Sequence, residues 1–219
     1  MLTTTPARGK SVSFGASLLA EENIHPFEPV AGIDEAGRGS LAGPVVAAAV
    51  VLHPERPVEG LRDSKQLAPQ RRRRLFEEIV SRAVCWALGR ATAAEVDELN
   101  IHHATLLAMR RAWHAVPFGV GHVLVDGLHC PQLAAPCTAI VKGDQSVPVI
   151  SAASILAKVA RDEEMLEYHG MYSQYGFDRN KGYPTAQHIA ALHEFGPSDL
   201  HRKSFRPVQN AMNFKAGRQ

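Results

Sequence analysis

Four acidic residues follow short apolar stretches of the chain. Asp34 and Glu35 are adjacent and lead into the glycine-rich segment AGRG, Asp126 follows HVLV, and Asp144 follows VKG. An acidic pair directly after a buried apolar run is costly to place without partners. Asp144 by itself would serve equally well as a turn or helix-capping residue. The pattern predicts that the four carboxylates converge at one edge of a sheet.

Such a carboxylate cluster predicts metal-dependent chemistry. Neighbouring carboxylates repel one another unless cations lie between them, and oxygen-rich sites select hard ions such as Mg²⁺ or Mn²⁺. Two ions about 3.5–4 Å apart can activate water on one side of a phosphodiester and neutralise the leaving oxygen on the other. The acids therefore predict phosphoryl hydrolysis with two divalent ions.

The hydrophobic periodicity predicts the elements that position these acids. Two neighbouring apolar strands joined by a tight connection suggest antiparallel pairing, and the later strands alternate with helices. This order favours an α/β fold with a mixed sheet flanked by helices over an all-parallel nucleotide-binding sheet. Strands are expected at residues 30–35, 45–52, 83–89, 121–125 and 138–141, and helices at 70–80, 93–115 (broken near Asn100), 149–168 and 186–195, with an irregular tail after Pro197.

The turn GRGSLA (residues 37–42) also matches the dinucleotide fingerprint G-x-G-x-x-A. In that fingerprint the glycines lead into a helix whose N-terminus holds pyrophosphate. Here Pro44, Val45 and Val46 lead into a strand, and the preceding acids would repel phosphates. A dehydrogenase is therefore disfavoured.

Basic and aromatic residues suggest a nucleic-acid substrate. The loop NKGYP (residues 180–184) sets an aromatic ring beside a cation, which suits stacking on a sugar or base, although the tyrosine could simply pack on its own loop. An arginine run alone is more often a solvated helix face, and the histidines are expected to be structural or surface residues. The basic residues that could line a phosphate track are Arg62, Lys65, Arg71, Arg72, Arg73, Arg74, Lys181, Arg202, Lys203 and Arg206.

Length, charge and cysteine content set the general class. The 219 residues suit one domain, and a net charge of only +2 means that nucleic-acid affinity must come from a local patch. Three cysteines argue against a disulfide framework, and no stretch is long and apolar enough for a membrane span, so a cytoplasmic location is expected. We expect a flexible leader at residues 1–27 and a single catalytic domain at 28–219 with a helical C-terminal part.

Taken together, the motifs resemble ribonuclease HII, the type 2 ribonuclease H family, from about residue 30 to residue 205. They are GIDEAGRG with AGP (42–44), DSK (63–65), DELN (97–100), VDG (125–127), KGD (142–144), SAASILAK (151–158) and NKGYPT (180–185). The resemblance implies a ribonuclease H-like fold in which Asp34, Glu35, Asp126 and Asp144 hold two divalent ions. The sister type, ribonuclease HIII, typically has Gly-Thr-Gly at the turn, and Arg38 favours type HII.

The resemblance also implies how substrate is recognised. In the family the turn Gly37-Arg38-Gly39 touches the ribonucleotide 2′-hydroxyl, and Tyr183 stacks on the adjacent deoxyribose; Lys65 and Lys181 would contact phosphates. The 2′-hydroxyl is the group that distinguishes RNA from DNA at a given position. The implied activity is cleavage of RNA–DNA hybrids and cleavage 5′ of ribonucleotides embedded in duplex DNA, leaving 5′-phosphate and 3′-hydroxyl ends, by an enzyme expected to be a monomer.

Two alternatives stay open at this point. A DNA-directed nuclease or strand-transfer enzyme of the same fold would use similar acids but would need no 2′-hydroxyl sensor. A non-catalytic nucleic-acid-binding protein would keep the carboxylates for structure only. Cleavage of an all-DNA duplex would favour the first, and full activity of an Asp34→Asn variant would exclude the metal chemistry.

Overall fold

A five-stranded mixed sheet forms the centre of the computed structural model, which describes residues 29–61, 67–117 and 119–216. In the order β3-β2-β1-β4-β5, the first three strands pair antiparallel and the last three pair parallel. This confirms the predicted mixed sheet. The strands are β1 (Val30–Ala36), β2 (Val45–Val51), β3 (Cys85–Ala91), β4 (His122–Asp126) and β5 (Cys137–Ile140).

Helices cover both faces of the sheet. On one face α2 packs against Ile33 and Val125, and on the other α1 and α4 pack against Ala48 and Val50. A central strand buried on both faces reads as a continuous apolar run, as β2 does. The helices of the described ranges are α1 (Pro69–Arg82), α2 (Ala93–His114), α3 (Gly143–Ser146), α4 (Pro148–Met171), α5 (Phe177–Asn180), α6 (Ala186–Phe195) and α7 (Arg206–Ala216), with a 3₁₀ turn at Ser173–Tyr175.

The start of α4 lies directly against β1. A Cβ atom on Gly32 would lie 2.3 Å from the carbonyl oxygen of Val149, so only glycine permits this approach. Strand alternation turns Ile33 toward α2 and leaves Asp34 on the α4 face together with Ala36. The close contact therefore brings the polar residues of α4 beside the acids at the end of β1.

The predicted break in the second helix is confirmed at Asn100, whose φ is 66°. Its side-chain oxygen accepts hydrogen bonds from the backbone N–H groups of His102 and His103, at 2.9 and 3.2 Å. Asn100 thus caps a second helical segment within α2. This is the capping geometry in which asparagine is favoured.

The prediction that the tail after Pro197 is irregular was wrong in detail, because the tail contains α7, in agreement with the expected helical C-terminal part. Val208 and Ala211 are buried in a cluster with Leu192 of α6, and this packing stabilises the helix. The loop expected between α4 and α6 likewise contains the 3₁₀ turn and α5. The predicted leader (1–27) and the DSK motif with Lys65 lie outside the described residues.

The three cysteines, Cys85, Cys130 and Cys137, are free. Burial is the main cause that raises the pKa of the Cys85 thiol to about 11. None of the helices in the described part of the chain has the length and apolar character that crossing a bilayer requires.

Candidate active site

Asp34 and Asp126 lie at neighbouring strand ends. The parallel register pairs Ile33 with Val125, so the next residues along β1 and β4 are the two aspartates. Asp34 is only 3% exposed. Its burial, followed by the charges of Glu35 and Asp126, raises its pKa well above the usual range, while a hydrogen bond with the Ser154 side chain acts in the opposite direction. The structure therefore brings Asp34, Glu35 and Asp126 together.

Asp144 joins this edge from a short helix and not from a strand end. It lies in the first turn of α3 and is 4% exposed. Its backbone N–H donates to Oδ1 of Asp126 at 3.3 Å, and its carbonyl accepts from the Ser151 hydroxyl at 2.5 Å. Asp144 is thus held beside Asp126 by its backbone.

These acids suit a hard divalent cation in their chemistry. Burial and then repulsion from Glu35 and Asp126 raise the pKa of Asp34, and a cation among these oxygens would relieve the repulsion. Within the described residues no three His, Cys, Asp or Glu side chains are already arranged around a common point that would hold an ion. Carboxylate oxygens are the ligands that Mg²⁺ and Mn²⁺ prefer.

A cleft of about 530 Å³ lies next to the acids. Glu35 lines it and forms an ion pair with Arg38 at 3.5 Å, while half of the Arg38 side chain remains exposed. The Lys158 ammonium and the Arg161 guanidinium lie 5.5 and 5.6 Å from the centre of the Tyr183 ring. The cleft is lined by Glu35, Ala36, Gly37, Arg38, Gly39, Arg72, Ser154, Lys158 and Tyr183.

The buried Arg202 side chain forms hydrogen bonds with backbone carbonyls of the glycine-rich turn. Its Nη2 donates to the carbonyls of Gly37 and Gly43 at 2.8 and 2.9 Å, its Nη1 donates to the carbonyl of Arg38 at 2.8 Å, and its Nε donates to Gly43 at 3.1 Å. The side chain is 0% exposed, so its place in the predicted phosphate track was wrong. Burial, together with the charge of Arg161, lowers its pKa to about 9.

Arg161 connects the same turn to the tyrosine loop. Its guanidinium donates to the carbonyls of Pro44, Ala42 and Lys181 at 3.0, 3.1 and 2.9 Å. A Cβ on Gly37 would lie 2.0 Å from Arg161 Nε, and the φ of Gly37 is +94°. Both the close approach and the backbone conformation therefore require glycine. The turn and the loop are therefore held in a single arrangement.

The sequence interpretation missed the roles of Arg161, Lys158 and Ser154. All three lie on α4 at spacings of four and three residues, which places them on one helix face. This spacing of three polar residues in the mostly apolar first part of α4 was the available signal. No comparable signal marks Arg202, which lies in a loop between α6 and α7.

The other predicted basic residues differ in whether they face the cleft. The Lys181 ammonium donates to the carbonyl of Asp178 at 2.5 Å, and burial lowers its pKa. In the arginine run of α1, Arg73 and Arg74 form exposed ion pairs one turn along the helix, with Glu77 and Glu78. They fit the interpretation as a solvated helix face. Arg72, in contrast, lines the cleft.

Comparison with known proteins identifies similar sequences over most of the chain. The family model described as Ribonuclease HII matches residues 31–208. The ribonuclease HII of Dechloromonas aromatica (strain RCB) is 55% identical over 192 residues, which are 88% of this chain and 98% of that protein. The ribonuclease HII of Nitrosococcus oceani is 57% identical over 180 residues, which are 82% of this chain and 90% of that protein.

A solved structure shows the same fold. The ribonuclease H2 from Pyrococcus horikoshii OT3 superposes with a TM-score of 0.68 at 26% sequence identity. The match covers 85% of this chain and 99% of the other. The shared fold therefore extends over most of this chain.

Proposed function

The chain belongs to the ribonuclease HII family and is therefore a ribonuclease H endonuclease, and on this premise we propose that it cuts the RNA strand of RNA–DNA hybrids and cuts duplex DNA 5′ of embedded ribonucleotides. One observation carries the finer proposal: Glu35, the Gly37-Arg38-Gly39 turn and Tyr183 line a single cleft. An acid that can serve the reaction thus lies beside groups that can recognise the sugar.

In the proposed reaction Asp34, Glu35, Asp126 and Asp144 would hold the divalent cations. Two bound Mg²⁺ or Mn²⁺ ions would supply the charge that activates water and neutralises the leaving oxygen, giving 5′-phosphate and 3′-hydroxyl ends. The protein's own part is to keep the carboxylates oriented. The Ser154 side chain and the Glu35 amide, at 2.7 Å, both donate to Asp34 and limit its rotation.

We assign recognition of the ribose to the glycine-rich turn. Arg202 fixes the carbonyls of Gly37 and Arg38 toward the protein interior, so the peptide groups of the turn have one orientation relative to the cleft. Polar groups fixed in this way can bond a 2′-hydroxyl, which both donates and accepts, without an ordering cost at binding. A deoxyribose offers no such partner, and this difference is the basis of the proposed discrimination.

We assign the neighbouring deoxyribose to the Tyr183 ring. Arg161 and Lys158 approach this ring, and the Arg161 hydrogen bond to the Lys181 carbonyl fixes the backbone of its loop. Lys158 and Arg72 line the cleft and are assigned to phosphates, although Lys158 also pairs with Asp162 at 2.7 Å. Lys181, in contrast, is not among the residues that line the cleft, and its ammonium donates within its own loop. Lys181 and Lys65 remain predictions.

The test compares three duplexes: an RNA–DNA hybrid, an all-DNA duplex, and a DNA duplex with one ribonucleotide. With Mg²⁺ or Mn²⁺ the protein should cut the first and the third, the third on the 5′ side of the ribonucleotide, and should leave the second intact. Chelation should stop the reaction. Asp34→Asn should abolish cleavage while retaining hybrid binding, because it removes a charge without changing the side-chain size. Cutting of all-DNA duplex at a similar rate would instead support the DNA-directed nuclease.

A further inference from the structure

Three histidines form a cluster at the edge of the sheet near the candidate active site. The His102 ring packs edge-on against the rings of His103 and His129, with centroid distances of 5.1 and 4.8 Å. His103 and His129 are exposed, and His102 is partly exposed. Two of the residues begin the second segment of α2, and the third follows β4 three residues after Asp126. The cluster thus reaches solvent close to the acids.

The charged groups that lower the pKa of the His102 ring are cationic. Burial comes first, followed by His129, His103 and Arg38. The Arg38 side chain therefore lies near enough to lower the pKa of His102, while its Nη1 pairs with Glu35 at 3.5 Å. An approaching anion would find ring N–H donors and Arg38 on the same surface.

We propose that His102, His103 and His129 form a phosphate-binding subsite for the backbone of the nucleic-acid substrate, on the α2 side of the sheet. This inference rests on the proposed function and extends it. In the proposed function Tyr183 and Lys158, which line the cleft on the α4 side, would contact substrate, so a second set of contacts across Arg38 would hold the duplex on both sides of the acids. The side chains supply this subsite, because Asn100 already accepts the N–H groups of His102 and His103.

Phosphate is the ligand that this chemistry favours. A neutral imidazole donates one hydrogen bond, and a nearby phosphate favours the protonated ring, which donates two and carries a charge. Binding of substrate would then draw protons onto the cluster.

The experiment measures binding of a fluorescein-labelled RNA–DNA hybrid by anisotropy, with the full chain and with chelator present to prevent cleavage. The triple variant His102→Gln, His103→Gln, His129→Gln should bind about tenfold more weakly than wild type near pH 6, with a salt slope smaller by about 1 for each phosphate that the histidines no longer neutralise. Near pH 8.5 the two proteins should differ little, because the rings are then neutral. The control His193→Gln changes an exposed histidine on α6 and should bind like wild type.

Two single substitutions separate charge from folding. His129→Gln lies in an exposed loop and should reproduce part of the loss even if the triple variant does not fold. His129→Lys keeps its positive charge at pH 8.5, so its affinity for the hybrid should fall less than that of wild type between pH 6 and pH 8.5. Equal affinities and salt slopes for wild type, the triple variant and His129→Gln would overturn the subsite.

A separate cleavage assay distinguishes this failure from failure of the proposed function. If wild type cuts the hybrid with Mg²⁺ but the histidine variants bind it unchanged, the subsite is refuted and the function stands. If wild type does not cut the hybrid but the variants lose affinity as described, the function is refuted and the phosphate contact stands.

Discussion

Replacing Arg202 by methionine tests whether the glycine-rich turn depends on its buried clamp. The guanidinium donates four hydrogen bonds to the carbonyls of Gly37, Arg38 and Gly43. A buried acceptor left without a partner costs about 1–3 kcal/mol, and the variant no longer has to bury a charge, which returns part of that cost. We therefore expect the free energy of unfolding to fall by about 3–5 kcal/mol.

The same variant should lose more activity on a duplex with a single ribonucleotide than on a continuous hybrid. Displacement of a positioning group by about 1 Å can reduce a rate by about 100-fold. We expect Arg202→Met to reduce kcat/KM by about that factor on a duplex with a single ribonucleotide, and by less on a continuous hybrid, where neighbouring positions offer further 2′-hydroxyls. Denaturant unfolding and initial rates on both duplexes measure the two effects.

Two further variants make that result interpretable. Arg202→Lys keeps a cation but cannot reach three carbonyls with a rigid fork, so it should fall between wild type and the methionine variant. Arg179→Met removes an arginine whose side chain is 68% exposed and should change neither stability nor kinetics. Wild-type stability and an unchanged ratio of rates on the two duplexes in Arg202→Met would refute the clamp.

Three more predictions follow from the site and the core. Gly37→Ala should abolish cleavage at a single ribonucleotide, because its Cβ would lie 2.0 Å from Arg161 Nε at a φ of +94°; retained activity in that assay would contradict the assigned turn. Tyr183→Ala should reduce kcat/KM on the same duplex by about tenfold or more because stacking is removed, whereas Tyr183→Phe should stay close to wild type. Burial lowers the pKa of His201 to about 3, so its contribution to stability should be complete above about pH 6.5 and should be lost as the pH falls toward 3, by about 1.4 kcal/mol per pH unit. Burial also lowers the pKa of His188, which adds a loss in the same direction below pH 6.5. Denaturant unfolding across this range should show a flatter profile for His201→Gln.

The acidic edge could be predicted from sequence because its signals are local. Asp126 ends β4 and Asp34 lies near the end of β1, directly after an apolar run, and parallel neighbours in a sheet bring such positions together. The position of Asp144 was predicted less well. Its place beside Asp126 depends on a left-handed Lys142, with φ 58°, and on the short helix that follows, and neither leaves a periodic pattern.

The buried arginines show where sequence patterns fail. Arg202 lies beside Lys203 in a basic tail, and its composition resembles that of a solvated surface. Its partners are backbone carbonyls of a turn more than 150 residues earlier, and a backbone group carries no residue type that a pattern could match. The helix α7 was also missed, and in the structure Val208 and Ala211 pack it against other elements.

The clamp also explains why recognition of ribose and stacking should act as a unit. Arg161 donates to the carbonyls of Ala42 and Pro44 from the turn and to that of Lys181 from the tyrosine loop. The Leu41 N–H adds a direct bond to the Gly182 carbonyl at 2.8 Å. If either loop moved away, the buried Arg161 guanidinium would lose a carbonyl partner, which is costly. The turn and the tyrosine loop are therefore held together. The spacing between the 2′-hydroxyl contact and the stacking ring is therefore set by the folded core before substrate arrives, and a junction between ribose and deoxyribose can be recognised by fit instead of by rearrangement.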